Sequence, residues 1–187
     1  MLKEVIEPTP AVQLPLHRQT TFVLVRPHYP ENVGAAARAI KTMGFTQLTL
    51  VKPGRLAAPR HEMALKMAVK SRDVLLAAPV VDTLPQALEG VDFVVATTAR
   101  PGVSGVLAPR TIAPELLDRA ERGERIAIVF GNEKTGLSSE DLELAGARVR
   151  IPMAANQPSV NLAQATQLIA YELFTSALAH AQGPSSA

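Results

Sequence analysis

The sequence predicts an α/β fold: a mostly parallel sheet flanked by helices. Three observations lead there. Short apolar runs rich in Val, Ile and Leu alternate with helix-period segments along the chain, as in βα units whose strands are buried on both faces. Three strand ends run into turns set with Gly, Asn or Ser, each followed by a helix pattern: Asn32-Val33-Gly34, Phe130-Gly131-Asn132, and Ile151-Pro152-Met153 leading on to Ser159-Val160-Asn161. The length of 187 residues, with 47% hydrophobic but only 4% aromatic residues, fits one domain with an Ala/Val/Leu core, burying roughly 70% of the unfolded surface.

Taken in order, residues 1–19 carry Pro8, Pro10 and Pro15 without a period and read as an extended or disordered arm. Thr21 to Val25 is a strand stopped by Pro27 and Pro30, and Glu31 to Met43 is an Ala-rich helix stopped by Gly44. Gln47 to Val51 is the second strand, followed by a basic loop, Lys52 to Arg60, and a helix from Glu62 to Lys70. Val74 to Val81 fits either period, and Leu84 to Glu89 is a short helix closed by Gly90. Val91 to Thr97 is a strand with a second basic loop, Arg100 to Arg110, after it. Thr111 is the expected cap of a helix to Arg122 with Pro114 in its first turn. Arg125 to Phe130 is a strand, and Ser138 with Asp141 forms a capping box. Ala147 to Ile151 is the last strand and Val160 to Ala181 the last helix, with Ser159 its simplest N-cap. The domain is expected over 20–182, with 183–187 a disordered tail.

Composition removes several classes of function. There is no cysteine, so no disulfide, thiolate metal site or cysteine nucleophile. The four histidines, His17, His28, His61 and His180, have no metal-ligand spacing. No apolar run approaches the roughly 20 residues that span a bilayer, and the N-terminus lacks a signal-peptide pattern; a cytoplasmic location is the expectation. Net charge is only +2, yet Arg26 to Arg72 holds nine basic residues against two acidic ones. Such a bias can supply phosphate contacts on a nucleic acid or can be a solvated face.

The Gly131–Gly136 loop is not a phosphate loop of the Walker type, because Lys134 precedes Gly136 and Leu137 follows it. No G-x-G-x-x-G follows the first strand, so a conventional dinucleotide site is unsupported. The two glycines still imply a sharply turned loop with exposed amides, or a purely structural turn. Gly34 and its alanines let the helix lie against another backbone or a ligand, and Arg38 follows one turn on, as an inward-reaching or a solvated residue. Asn161, Gln164 and Gln167 place more polar groups at the start of the last helix than capping needs.

In order and together these segments resemble the SPOUT superfamily of methyltransferases, in its SpoU/TrmH branch. The three motifs of that branch are carried by Asn32, Gly34 and Arg38; by Phe130-Gly131, Glu133 and Gly136-Leu137; and by Ile151-Pro152-Met153 with Ser159-Val160-Asn161. The run from Pro30 to Phe45 is most similar to the TrmJ type, as are Val94 to Arg100 and His61-Glu62 with Ala64. The resemblance covers about Thr21 to Ala181. It implies a C-terminal deep trefoil knot, a homodimer and S-adenosyl-L-methionine as cofactor.

The implied activity is methylation of an RNA ribose 2′-hydroxyl, in the TrmJ type at anticodon-loop position 32 of tRNA. The same reaction on rRNA or at another tRNA position is the alternative, and a catalytically inactive RNA-binding dimer a further one. The chain stops soon after the last helix, where many TrmJ-type proteins carry an extension that helps grip tRNA. By the resemblance, Arg38, Ser159, Asn161, Asn32 and Glu133 are the catalytic set, and Thr97, Thr98, Ala99, Gly131, Ile151, Pro158, Ser159 and Val160 hold the cofactor. Arg26, Lys52, Arg55, Arg60, Arg100 and Arg110 are expected to carry RNA, with no metal and no membrane partner. A guanidinium keeps its proton, so Arg38 is expected to position the ribose and stabilise a developing alkoxide, not to act as a free base.

Overall fold

The computed structural model describes residues 13–154 and 159–182. Its strands are β1 (Thr20–Val25), β2 (Gln47–Val51), β3 (Val80–Val81), β4 (Phe93–Thr97), β5 (Val106–Leu107), β6 (Ile126–Phe130) and β7 (Ala147–Val149). Every pairing is parallel and the order is β3-β2-β1-β6-β4-β7-β5. The helices are α1 (Pro15–Gln19), α2 (Pro30–Thr42), α3 (Glu62–Met67), α4 (Arg72–Ala77), α5 (Leu84–Ala87), α6 (Pro109–Glu121), α7 (Ser139–Glu143) and α8 (Leu162–Gln182). The expected α/β class, with its sheet flanked by helices, is what folds.

Alternation along the strands explains why they read as unbroken apolar runs. Phe22, Leu24, Ile126, Ile128 and Phe130 face a core shared with α2, α6 and α8, whereas Val23, Val25, Ala127 and Val129 face a smaller core with Leu84, Leu137 and Leu142. Both faces are covered, so both positions of the period-2 repeat are filled mainly by apolar side chains. Phe22 sits in the middle of the larger core, with ring centroids 5.1 Å from Phe45 and 6.1 Å from Phe130.

Four local expectations change. The arm proposed for residues 1–19 lies outside the described residues up to 12, but Pro15–Gln19 is a helical turn with Leu16 and His17 buried. Pro15 stands in its first turn, a position where its fixed φ favours a helix instead of an extended arm. The helix after the second basic loop is capped at Ala108, not Thr111, because Pro109 takes the first helical position and leaves Pro114 inside. The loop from Arg100 to Arg110 contains β5, a strand that exists only because β7 offers it a ladder. The ambiguous stretch from Val74 to Val81 divides into the end of α4 and β3. The capping box at Ser138 and Asp141 forms as expected, with the Asp141 amide donating to the Ser138 hydroxyl at 3.1 Å. The tail at 183–187 lies outside the described residues.

In a parallel sheet all strands end on one side. The loops after β1, β2, β4, β6 and β7 therefore share one edge, where open α/β sheets bind ligands.

Candidate functional site

A cleft of about 340 Å³ opens at that edge, beyond the ends of β4, β6 and β7. Its walls include Ala99, Val149, Ile151, Val160, Leu162 and Ile169, with the Gly131–Leu137 loop closing one side. That volume, with apolar walls interspersed with polar groups such as Thr97, Thr98, Glu133 and Ser159, suits a small-molecule site.

The Gly131–Leu137 loop is held from within. Asn132 and Gly136 make an isolated antiparallel bridge, with the Gly136 amide donating to the Asn132 carbonyl at 2.8 Å. The Asn132 side-chain oxygen accepts from the amides of Lys134 (2.8 Å) and Thr135 (3.2 Å), and its NH2 donates to the Arg26 carbonyl at 2.6 Å. A Cβ on Gly131 would stand 2.3 Å from the Gly136 carbonyl carbon and the Leu137 nitrogen. Only glycine lets the loop fold back on its own backbone.

Glu133 reaches out of this loop to the start of α2. Its carboxylate accepts from the amides of His28 (2.8 Å) and Tyr29 (3.2 Å) and from the Asn32 side chain (2.9 Å). The N-cap of α2 is Tyr29, whose side chain makes no cap bond. Glu133 thus places negative charge at the helix N-terminus, where the helix dipole favours it. Asn32 is nearly buried, at 9% exposure, and its oxygen accepts from the Asn161 side chain at 3.0 Å. The oxygen of Asn161 in turn accepts from the amides of Ala163 (2.9 Å) and Gln164 (3.3 Å).

Asn161 is therefore the cap of α8, and the expectation that Ser159 caps it is corrected. Relieved of that task, Ser159 lines the cleft. The reason is geometric: the helix starts at Leu162, and only the side chain of the residue before it reaches the second and third amides.

Of the residues expected to hold a cofactor, Thr97, Thr98, Ala99, Gly131, Ile151, Ser159 and Val160 line this one cleft; Pro158 lies outside the described residues. Of the expected catalytic set, Glu133 and Ser159 line it, and Asn32 and Asn161 stand behind Glu133. Arg38 does not line it. It lies on the exposed stripe of α2 and has no ion pair or side-chain hydrogen bond among the described residues. The close approach permitted by Gly34 is to a backbone: a Cβ there would lie 2.0 Å from the Ala64 carbonyl oxygen of α3.

The expected RNA-binding cations divide into two groups. Arg26, in a left-handed backbone conformation (φ 52°), pairs with the carboxylate of Asp141. Burial pushes that carboxyl up, but Arg26 and the Ser138 amide and hydroxyl outweigh it and hold it below the usual carboxylate range. Arg100 donates to the Leu137 carbonyl (2.7 Å) and the Ser139 hydroxyl (3.2 Å), and Arg110 forms a two-bond pair with Glu172 (2.8 and 2.9 Å). Lys52, Arg55 and Arg60 are exposed, and none has an ion pair among the described residues. The tie from Glu133 to the His28 and Tyr29 amides has no local sequence signal, since the partners are more than one hundred residues apart.

Among the described residues no cluster of His, Asp or Glu is placed to hold a metal, and no helix is long and apolar enough to cross a membrane.

The profile of the SpoU rRNA Methylase family matches residues 19–171. A Pseudomonas aeruginosa protein named tRNA (cytidine/uridine/adenosine-2′-O-)-methyltransferase TrmJ is 42% identical over 163 residues, 86% of this chain and 62% of that protein. The chain thus spans less than two thirds of that relative's length. A methylase family protein from Neisseria gonorrhoeae superposes with a TM-score of 0.83 at 35% identity, covering 92% of this chain and 88% of its own. An AdoMet-bound rRNA methyltransferase from Sinorhizobium meliloti superposes with a TM-score of 0.64 at 27% identity, covering 89% of this chain and 60% of its own.

Proposed function

The chain belongs to the SpoU rRNA methylase family, and from that premise we propose that it is an S-adenosylmethionine-dependent RNA ribose 2′-O-methyltransferase whose substrate is tRNA. The observation that carries this reading is the hydrogen-bonded line Glu133–Asn32–Asn161, which joins three sequence-distant segments beside one cleft. The choice of tRNA, and of anticodon-loop position 32 as the target, rests on the 42% identity to the Pseudomonas protein and its name, together with the TrmJ-like run from Pro30 to Phe45.

The cleft fits S-adenosylmethionine. Ala99, Val149, Ile151, Val160 and Ile169 offer apolar surface for a purine face, and the Thr97–Ala99 and Gly131 segments bring peptide groups to its edge. The carboxylate of Glu133 on this wall is already committed to three donors. Thr97, Thr98, Ala99, Gly131, Ile151, Ser159 and Val160 would hold the cofactor, which supplies an electrophilic methyl group when bound.

The chain's own residues then have distinct tasks. Glu133 and Asn161 fix Asn32 and with it the start of α2 relative to the cleft. Arg38, exposed on α2 and outside its own cleft, serves the cleft of a second copy in a homodimer. Its guanidinium donates hydrogen bonds to the ribose, orients the 2′-oxygen and stabilises negative charge there as the proton passes to a neighbouring phosphate. The knot belongs to the same reading: β7 lies in the interior of the sheet, Ile151, Met153, Ser159 and Val160 line the cleft, and α8 packs against α2 and α6.

The test is methyl transfer from labelled S-adenosylmethionine to tRNA transcripts, with 2′-O-methyl sites mapped afterwards. Arg38→Ala should lower turnover at least roughly 100-fold, on the scale of losing one transition-state donor, while cofactor affinity stays unchanged. Failure of the wild-type chain to bind the cofactor refutes the reading, and methylation confined to ribosomal RNA refutes the choice of tRNA.

A further inference from the structure

Beside the cleft stands a surface that none of these tasks uses. Tyr29 is 43% exposed although its backbone amide is pinned by Glu133. The His28 ring packs edge-on against it, with centroids 4.7 Å apart and planes at 89°. Lys134, on the cleft wall, brings its Nζ to 5.6 Å from the Tyr29 ring centroid and 3.4 Å from His28 Nε2. Among the described residues no carboxylate pairs with Lys134.

The same loop touches the basic one. The Gly54 amide donates to the Pro27 carbonyl at 2.9 Å, which fixes the segment bearing exposed Lys52 and Arg55 beside His28. Arg100 and Arg110, by contrast, are engaged by Leu137, Ser139 and Glu172. Over the ends of β1 and β2, the exposed Tyr29 ring and three cations that have no carboxylate partner among the described residues, Lys52, Arg55 and Lys134, therefore meet.

A phosphate chain with unstacked bases is the partner whose chemistry fits an aromatic face flanked by unpaired cations. We infer that single-stranded RNA enters the cleft across the loops after β1 and β2, and that a base next to the target nucleotide stacks on Tyr29. This rests on the RNA-methylation reading and adds to it a direction of approach and a positioning residue. Glu133 holds the ring's backbone, so one carboxylate sets both the start of α2 and the stacking platform. Lys134 faces the phosphate beside the stacked base, and Lys52 and Arg55 meet the next ones.

The experiment measures binding of a fluorescein-labelled anticodon stem-loop RNA to the full chain by anisotropy across a salt series, with cofactor affinity by calorimetry in parallel. Tyr29→Ala should weaken RNA binding roughly 5- to 150-fold, the range that corresponds to loss of one stacked base, with cofactor affinity unchanged. Tyr29→Trp should keep RNA affinity, because it preserves the aromatic face. The pair Lys52→Ala and Arg55→Ala should lower the salt slope by about one for each phosphate no longer neutralised. Arg122→Ala, an exposed cation beside Glu124 at the far edge of the sheet, should change nothing.

Unaltered RNA affinity in Tyr29→Ala overturns the proposal, as does its loss in both Tyr29 variants. Loss of cofactor affinity in Tyr29→Ala also overturns it, since the ring would then only prop the Glu133 loop. RNA binding that depends on Tyr29 without any methyl transfer by the wild type keeps the platform and refutes the enzymatic reading.

Discussion

Replacing Glu133 by alanine separates a structural clamp from a mere neighbour of the cleft. The carboxylate accepts three hydrogen bonds, at 2.8 Å from the His28 amide, 3.2 Å from the Tyr29 amide and 2.9 Å from Asn32. The first two donors are exposed, so water replaces the carboxylate at small net cost. The Asn32 amide is nearly buried and loses a charged partner, which costs about 1.5–3 kcal/mol. Loss of the charge at the N-terminus of α2 adds about 0.3–1 kcal/mol, less in salt. A total of about 2–4 kcal/mol corresponds to a fall in Tm of roughly 4–16 °C for a chain of this size. Thermal unfolding followed by circular dichroism reads it. Glu133→Gln retains one acceptor oxygen and should recover part of the loss. If Glu133→Ala unfolds within a degree of wild type, the Asn32 bond contributes nothing and the clamp is wrong.

Further outcomes follow from the same structure. Asn161→Ala should cost about 1–2 kcal/mol, because it uncaps α8 and strips Asn32 of its second partner; Ser159→Ala should leave the unfolding midpoint within error and change cofactor affinity instead. His17 makes stability depend on pH. Burial pushes its imidazole below the ordinary 6.5, against a smaller upward pull from the Met43 backbone. Its Nδ1 accepts from the Leu14 amide at 3.0 Å, and protonation would end that bond. The folded state thus binds the proton less readily than the unfolded one. Its stabilising contribution is complete above about pH 6.5 and is lost as pH falls towards the lower folded value. Urea titrations between pH 7 and pH 5 should show this loss, and His17→Gln should flatten it; an equally steep slope in the variant would assign the effect elsewhere.

Wherever a signal is local, the sequence carried it. Residues 47–51 form a strand with the expected bounds, because β-branched and leucine side chains suit a sheet buried on both faces. Ser138 and Asp141 cap α7 because their atoms lie three residues apart, within reach of one another in any context. The three Gly/Asn/Ser turns also came out on one edge of the sheet, since alternating βα units leave all parallel strands ending on the same side.

What depends on distant partners was not legible. Val106 and Leu107 form a strand only because β7 lies beside them, and two residues hold no period. Ser159 and Asn161 are both good caps, and the choice between them followed from where α8 begins. Arg26, Arg100 and Arg110 look the same in sequence as Lys52, Arg55 and Arg60, yet Asp141, Leu137 and Glu172 occupy the first three. A residue's type determines what it can bond. Folding decides which bonds are already made, and so which charges and which ring of this chain are left for a partner.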